Sequence, residues 1–267
     1  MAIDFDPDLQ RWTRSIGNWR GIIRHYAAHI IVYVRRFRRS SRKASRTTNL
    51  RNTPQLRTAA LADWTIDGDL RRDGWAYIHP FFDLETHRAL LKAWPSLINF
   101  EPPRSSFEKS YDTFSGWTNK RRERNILVDS FLYDTFEMLF SDSTTRLVTD
   151  LAGDDIARIA ANVNLSWARN GSFLLPHRDS NSQGDGSWIN FVIFLEGKLP
   201  PLESGGTSFF QTNRYDQPLF VPKSLINTAI VYNTRGDFYH GFPPVTRGKF
   251  SKRIICNFAS PAEVLPE

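Results

Sequence analysis

Between residues 12 and 37 the apolar positions Trp12, Ile16, Trp19, Ile23, Tyr26, Ile30, Tyr33 and Phe37 recur at alternating spacings of four and three. At about 100° per residue they fall on one stripe of a helix. Arg14, Arg24, Arg35, Arg36 and Arg39 lie broadly opposite, while Ile31 and Val32 fall off the stripe and blunt the contrast. The pattern predicts a basic amphipathic helix. From Ser40 to Pro54 the chain is rich in Ser, Arg, Thr and Asn, with little to bury, and reads as a mobile linker.

From Leu61 the pattern changes. Asp73-Gly74 reads as a turn before the strand formers Trp75-Ala76-Tyr77-Ile78, and Asp83 reads as the N-cap of a helix running to Trp94 and stopped by Pro95. The stretch from Asn99 to Arg124 looks irregular, with Pro102, Pro103, Gly116 and the run Lys120-Arg121-Arg122-Glu123-Arg124. A loop that long is usually functional or disordered. Residues 126–140 and 144–152 predict two helices, the second ended by Gly153. After Ile156 short strands alternate with Gly, Pro and Asn turns, which predicts a double-sheet jelly roll. The fold class expected is α+β with a mainly β core, supporting helices and the N-terminal basic helix. Residues 1–60 form the helix and linker. Residues 61–267 form the jelly-roll domain, with helical support over 61–155 and the core over 156–260.

At 267 residues and 40% hydrophobic content the chain can bury a large core, as one domain with an extension. Its net charge of +7 is divided: residues 1–60 hold 13 Lys and Arg against 3 Asp, whereas residues 61–267 hold 22 against 25 Asp and Glu. The body is therefore not basic and carries no nucleic-acid reader motif, so nucleic acid is not favoured as a partner. Two readings lead for the helix. It packs on its own body or on a second subunit, giving a homo-oligomer, or it lies peripherally on an anionic membrane through residues 8–39. His25 and His29 form an i, i+4 pair with no third ligand nearby and read as a helix flank. The single cysteine, Cys256, excludes an intramolecular disulfide and sits in an apolar strand pattern, so it reads as a core residue. The first ten residues are acidic rather than signal-like, and no run of about 18 apolar residues occurs. The expected location is the cytoplasm, at the membrane surface if the helix binds lipid.

Candidate chemistry lies between Phe173 and Asn257. His177 and Asp179 are two residues apart, so on an extended strand both leave the same face, and His240 is the candidate for a third ligand. Two imidazoles and one carboxylate on one face of an octahedron leave three positions open, which lets Fe(II) hold a co-substrate and O2 together.

The surroundings of these residues sharpen the reading. They are Trp167–Phe173 before His177, Trp188–Leu195 after it, Gly205-Gly206-Thr207-Ser208-Phe209-Phe210, Tyr239-His240-Gly241-Phe242-Pro243-Pro244-Val245, and Lys252-Arg253-Ile254-Ile255. In these stretches the chain resembles the Fe(II)/2-oxoglutarate-dependent dioxygenases, in particular the prolyl-hydroxylase-like branch, over roughly residues 62 to 260. The resemblance implies a double-stranded β-helix, with His177, Asp179 and His240 as iron ligands and Arg253 as the partner of the distal carboxylate of 2-oxoglutarate. In one respect the chain departs from the family: Lys249, Phe250, Ser251 and Lys252 intervene between the turn Pro244-Val245-Thr246-Arg247-Gly248 and Arg253. This reads as a lengthened hairpin, with Arg247 and Lys249 as rival anchors. Asn164, Ser166 and Asn190 lie on strands facing the cavity, as contacts for 2-oxoglutarate or substrate. Tyr111, Trp117 and the arginine cluster read as substrate contacts or as solvated surface, and Trp188 as core.

What the resemblance implies is a hydroxylase that uses Fe(II), 2-oxoglutarate and O2, oxidising an unactivated C–H bond of a small-molecule or lipid- or sugar-type substrate and releasing succinate; the same chemistry also allows desaturation or ring formation. Retention of Asp179 argues against the halogenase variant. The alternative is a non-catalytic jelly-roll binding module tethered by its basic helix.

Overall fold

The computed structural model describes residues 61–96, 100, 109–118, 130–153, 159–179 and 188–260, together with Ile23, Ala27, Ile30, Ile31 and Val34. Its centre is strand β7 (Ile189–Gly197), buried from Ile189 through Leu195. A strand with an unbroken apolar run is one covered on both faces. Phe191, Ile193 and Leu195 point into a core shared with Leu90, Leu132, Phe136, Leu139 and Val148, whereas Val192 and Phe194 point into a second core with Phe209, Ile230 and Tyr232. The first core lies under helices and the second between two sheets.

The larger sheet has seven antiparallel strands in the order β1 (Thr65–Asp69), β2 (Trp75–His79), β10 (Thr228–Asn233), β7, β12 (Phe250–Ala259), β5 (Ile159–Arg169) and β4 (Asp112–Thr118). The smaller has five, in the order β3 (Lys109–Ser110), β6 (Phe173–His177), β11 (Tyr239–Phe242), β8 (Ser208–Phe210) and β9 (Pro218–Phe220). This is the expected jelly roll. Three helices cover the outer face of the larger sheet: α1 (Leu84–Ala93), α2 (Ser130–Leu139) and α3 (Asp142–Ala152). Asp83 caps α1 by accepting from Thr86 N at 2.8 Å. Ser141 caps α3, and Gly153 ends it in the left-handed region with φ 71°.

On the inner face of the larger sheet, alternation and register arrange side chains in rows. Tyr232, Asn190, Asn257 and Asn162 form one row, Ile230, Val192, Ile255 and Asn164 the next, and Thr228, Phe194, Arg253 and Ser166 a third. The site is built on these rows.

Several expectations change. The stretch read as irregular contains β3 and β4, one strand in each sheet, with Tyr111 at the crossing. Thr113, Phe114, Trp117 and Thr118 are strand formers, and the register shift between Phe114 and Trp117, around Gly116, hides their periodicity. Helix α3 starts at Asp142, two residues earlier than its apolar pattern indicates. Trp188 is half-buried at the entrance to β7 rather than core. Cys256 is fully buried, as expected, and burial pushes its thiol up. Of the N-terminal helix, Ile23, Ala27, Ile30, Ile31 and Val34 are helical, and the stripe positions Ile23 and Ile30 are 57% and 64% exposed. The rest of residues 1–60, including His25 and His29, lies outside the described residues, as do the linker, the arginine cluster and the Trp117 side chain. Among the described residues no helix is long and apolar enough to cross a membrane.

Candidate active site

His177 closes β6 and His240 stands directly opposite it on β11, so strand pairing alone brings the two imidazoles together, with ring centroids 4.2 Å apart. Gly241 makes the approach possible: a Cβ there would lie 2.5 Å from the Leu174 carbonyl oxygen. Tyr215 donates its hydroxyl to the carbonyls of Leu174 and Phe242, clamping β6 to β11 beside the irregularity that follows His240. Asp179 lies two residues past the end of β6 rather than on the strand, yet its Oδ1 is 3.5 Å from His177 Nε2 and 3.7 Å from His240 Nε2. One ligand atom from each of the three lies within 4.8 Å of the other two.

The donor set suits a cation. His177 Nδ1 is 2.9 Å from the Leu175 carbonyl, which can only accept, so Nδ1 carries a hydrogen and Nε2 is the ring nitrogen turned toward Asp179. Burial, assisted by the charge of His177 and opposed by Asp179, pushes His240 down to about 3, leaving a neutral imidazole at pH 7. Burial alone would raise the Asp179 carboxyl, but the hydrogen bond with His177, the charges of His240 and His177 and the hydroxyl of Tyr232 outweigh it and bring it below the usual range. Tyr232 itself is pushed well up by burial and by the Asp179 charge. An imidazole nitrogen from each histidine and one carboxylate oxygen therefore face a common point.

The triad opens into a cavity of about 360 Å³ that also reaches Arg253. Arg253 is 1% exposed. Its Nη2 donates to Ser166 Oγ at 2.7 Å and its Nη1 to the Gly205 carbonyl at 3.3 Å, while Nε has no partner. The rings of Tyr111 and Phe242 lie over the guanidinium at 4.9 and 4.8 Å. Burial lowers Arg253 to about 10, still cationic at neutral pH, and among the described residues no carboxylate pairs with it. A buried cation without an anionic partner is costly, so this corner is built for an anion. The rivals are elsewhere: Arg247 is exposed and Lys249 donates to the Leu199 carbonyl. Arg253, and neither rival, lies in the cavity wall.

Asn164, Ser166 and Asn190 all line the cavity. Ser166 holds Arg253, Asn190 Nδ2 donates to Asp179 Oδ2 at 2.9 Å, and Asn164 Nδ2 donates to Asn162 Oδ1 at 3.1 Å. Tyr111 lines it too, at the sheet crossing. Lys109, Thr113, Thr207, Tyr232 and Asn257 also face it and were not anticipated. For Asn257 the signal was present, since it follows Arg253 by four residues and so shares its face of β12. A wider groove of about 670 Å³, lined by Arg71, Arg72, Trp75, Arg235 and Phe238, holds no group of three metal-ligating side chains among the described residues.

No family model matches the sequence, and no curated protein aligns with it. Solved structures do match. A 2OG-Fe(II) oxygenase family oxidoreductase from Burkholderia pseudomallei superposes with a TM-score of 0.51 at 17% identity, covering 72% of this chain and 87% of that one. A Pseudomonas putida prolyl-4-hydroxylase gives 0.50 at 13% identity, over 72% and 95% of the two chains. AviO1 from Streptomyces viridochromogenes gives 0.50 at 18% identity, over 74% and 94%. The chain thus resembles, in fold, the prolyl-hydroxylase-like structures of the Fe(II)/2-oxoglutarate oxygenase superfamily.

Proposed function

We propose that this protein is an Fe(II)/2-oxoglutarate-dependent oxygenase that hydroxylates an unactivated C–H bond of a small-molecule or lipid- or sugar-type substrate. The observation that carries the reading is one cavity of about 360 Å³ holding both the His177, Asp179 and His240 donor set and the buried, carboxylate-free guanidinium of Arg253. Two imidazoles and one carboxylate fit ferrous iron and leave positions open. The unpartnered Nε of Arg253 fits a carboxylate oxygen, and with a planar donor fork the pair would be charge-assisted.

When bound, iron and 2-oxoglutarate together supply the activation of O2 and the oxidation of the C–H bond, with the keto acid leaving as succinate and carbon dioxide. The chain's own residues supply position. His177, Asp179 and His240 would grip the metal, and Arg253, steadied by Ser166 and the Gly205 carbonyl, would fix the far end of the keto acid. Ile230, Val192 and Ile255, with Asn164 at the end of their row, lie between the polar row at the triad and the row of Arg253. Lys109, Tyr111 and Thr113, from the sheet crossing, would meet the substrate.

The purified chain is expected to bind one Fe(II) and to convert 2-oxoglutarate to succinate in air. His177→Ala or Asp179→Ala should abolish both, whereas His25→Ala should leave both. Succinate formation that survives loss of His177 would remove the metal assignment. A folded chain that takes up no divalent metal would be the jelly-roll binding module instead.

A further inference from the structure

The polar row nearest the triad runs across four strands. Tyr232 on β10 is opposite Asn190 on β7, Asn190 is opposite Asn257 on β12, and Asn257 is opposite Asn162 on β5. Directly opposed side chains on one face of a sheet are within contact range, which lets the Asn257 and Asn190 amides meet. Asn257 Nδ2 donates to Asn190 Oδ1 at 2.5 Å, and Asn190 Nδ2 donates to Asp179 Oδ2 at 2.9 Å. The Tyr232 hydroxyl lies 3.4 Å from the same carboxylate oxygen.

The polarity of this chain of bonds is fixed by chemistry. An ionised carboxylate only accepts, whereas an amide has one accepting and one donating end. The donating end of Asn190 must therefore face Asp179, and Asn257 locks that orientation by occupying its accepting end. Both donors converge on Oδ2. The other oxygen, Oδ1, is the one 3.5 and 3.7 Å from the two histidine nitrogens.

We propose that Asn257, Asn190 and Tyr232 form a donor relay that presents Asp179 through Oδ1 alone, so that a metal in the triad is held by one carboxylate oxygen and keeps three adjacent positions open. This rests on the metal-site reading above. A second carboxylate oxygen on the metal would occupy one of the positions that a chelating keto acid and O2 require. The Tyr232 hydroxyl is also 3.2 Å from His240 Nε2. Once a metal takes that lone pair, the hydroxyl retains Asp179 Oδ2 as its acceptor. Asn257 acts through Asn190, and all three are positioning residues.

The test uses Co(II) added to the metal-free full chain without co-substrate, followed by its d–d absorption, which reports affinity and coordination geometry. Outer-shell partners of metal ligands typically contribute 10–100-fold in affinity. Asn190→Ala should weaken Co(II) binding by about that factor and alter the absorption band. Asn257→Ala should do the same to a smaller extent, and the double variant should be no weaker than Asn190→Ala, because both losses pass through one bond. Tyr232→Phe keeps the ring against His240 and removes only a donor, so it carries the test if an Asn190 variant fails to fold. Affinity and spectrum unchanged in Tyr232→Phe and the folded asparagine variants would overturn the relay, as would additive losses in the double variant. A wild-type chain that takes up no Co(II) overturns the metal reading and the relay together.

Discussion

Arg253 keeps its charge at 1% exposure because its surroundings half-satisfy it: a hydroxyl, a carbonyl and two aromatic faces, but no anion. That incomplete satisfaction makes it the residue whose removal should separate co-substrate from metal. Charge-assisted hydrogen bonds contribute roughly 1.5–3 kcal/mol each, so Arg253→Ala should raise the 2-oxoglutarate concentration needed for half-maximal turnover by about 10–100-fold. Metal affinity without co-substrate should stay within about threefold, since only the distal carboxylate loses its partner. Arg247→Ala, at an exposed turn, should change neither. Steady-state kinetics and metal titration on the two variants check this, and a larger effect at Arg247 would refute the reading of the hairpin.

At the scale of elements, the edge strand β4 is fixed by a buried pair. Asp112 is 0% exposed, and Arg169 of β5, whose side chain is 23% exposed, donates to it from Nε at 2.6 Å. Breaking a fully buried pair from one side costs about 3–5 kcal/mol, and the partial exposure of Arg169 lowers the expectation to about 2–3 kcal/mol for Asp112→Ala. Denaturant unfolding would measure it, and a second change, Arg169→Met, should recover part of the loss by removing the stranded cation. None of this was legible in the sequence, because Asp112 and Arg169 are 57 residues apart and only the β4–β5 register brings them together. The same limit hid the partnership of Asn190, Asn257 and Tyr232. Legible features were those encoded within one element or by chemistry: the Asp83 cap, the Gly153 stop, the apolar strand around Cys256 and the combination of His177, Asp179 and His240. Strand β4 was missed because its register shift breaks the period of two on which strand reading depends.

The whole molecule divides its charge and its chemistry. Among the described residues the cavity lining begins at Lys109, so deleting residues 1–60 should leave 2-oxoglutarate turnover intact. Those 60 residues hold 13 basic side chains against 3 acidic, and Ile23, Ile30 and Val34 are exposed on their helical part. We propose that this segment docks on anionic membrane. Cosedimentation of the full chain with liposomes should then require anionic lipid, fall as salt rises, and vanish on deletion. Aggregation of the deleted protein, with no lipid dependence in the full chain, would instead mean that the stripe packs on protein.

The two leaves of the jelly roll carry different halves of the site. The histidines belong to the five-stranded sheet, and Arg253 with Ser166 to the seven-stranded one. On the proposed reading, a keto acid chelated at one end and gripped at the other is a rung between two uprights. Each turnover would then remove and replace a structural member. At this end the leaves also meet through the Asn190 and Tyr232 contacts to Asp179 and His240, the Phe242 ring over Arg253 and the Phe209 ring against Tyr232. On that reading one tie between the sheets is renewed at every turnover by the same molecule that is consumed.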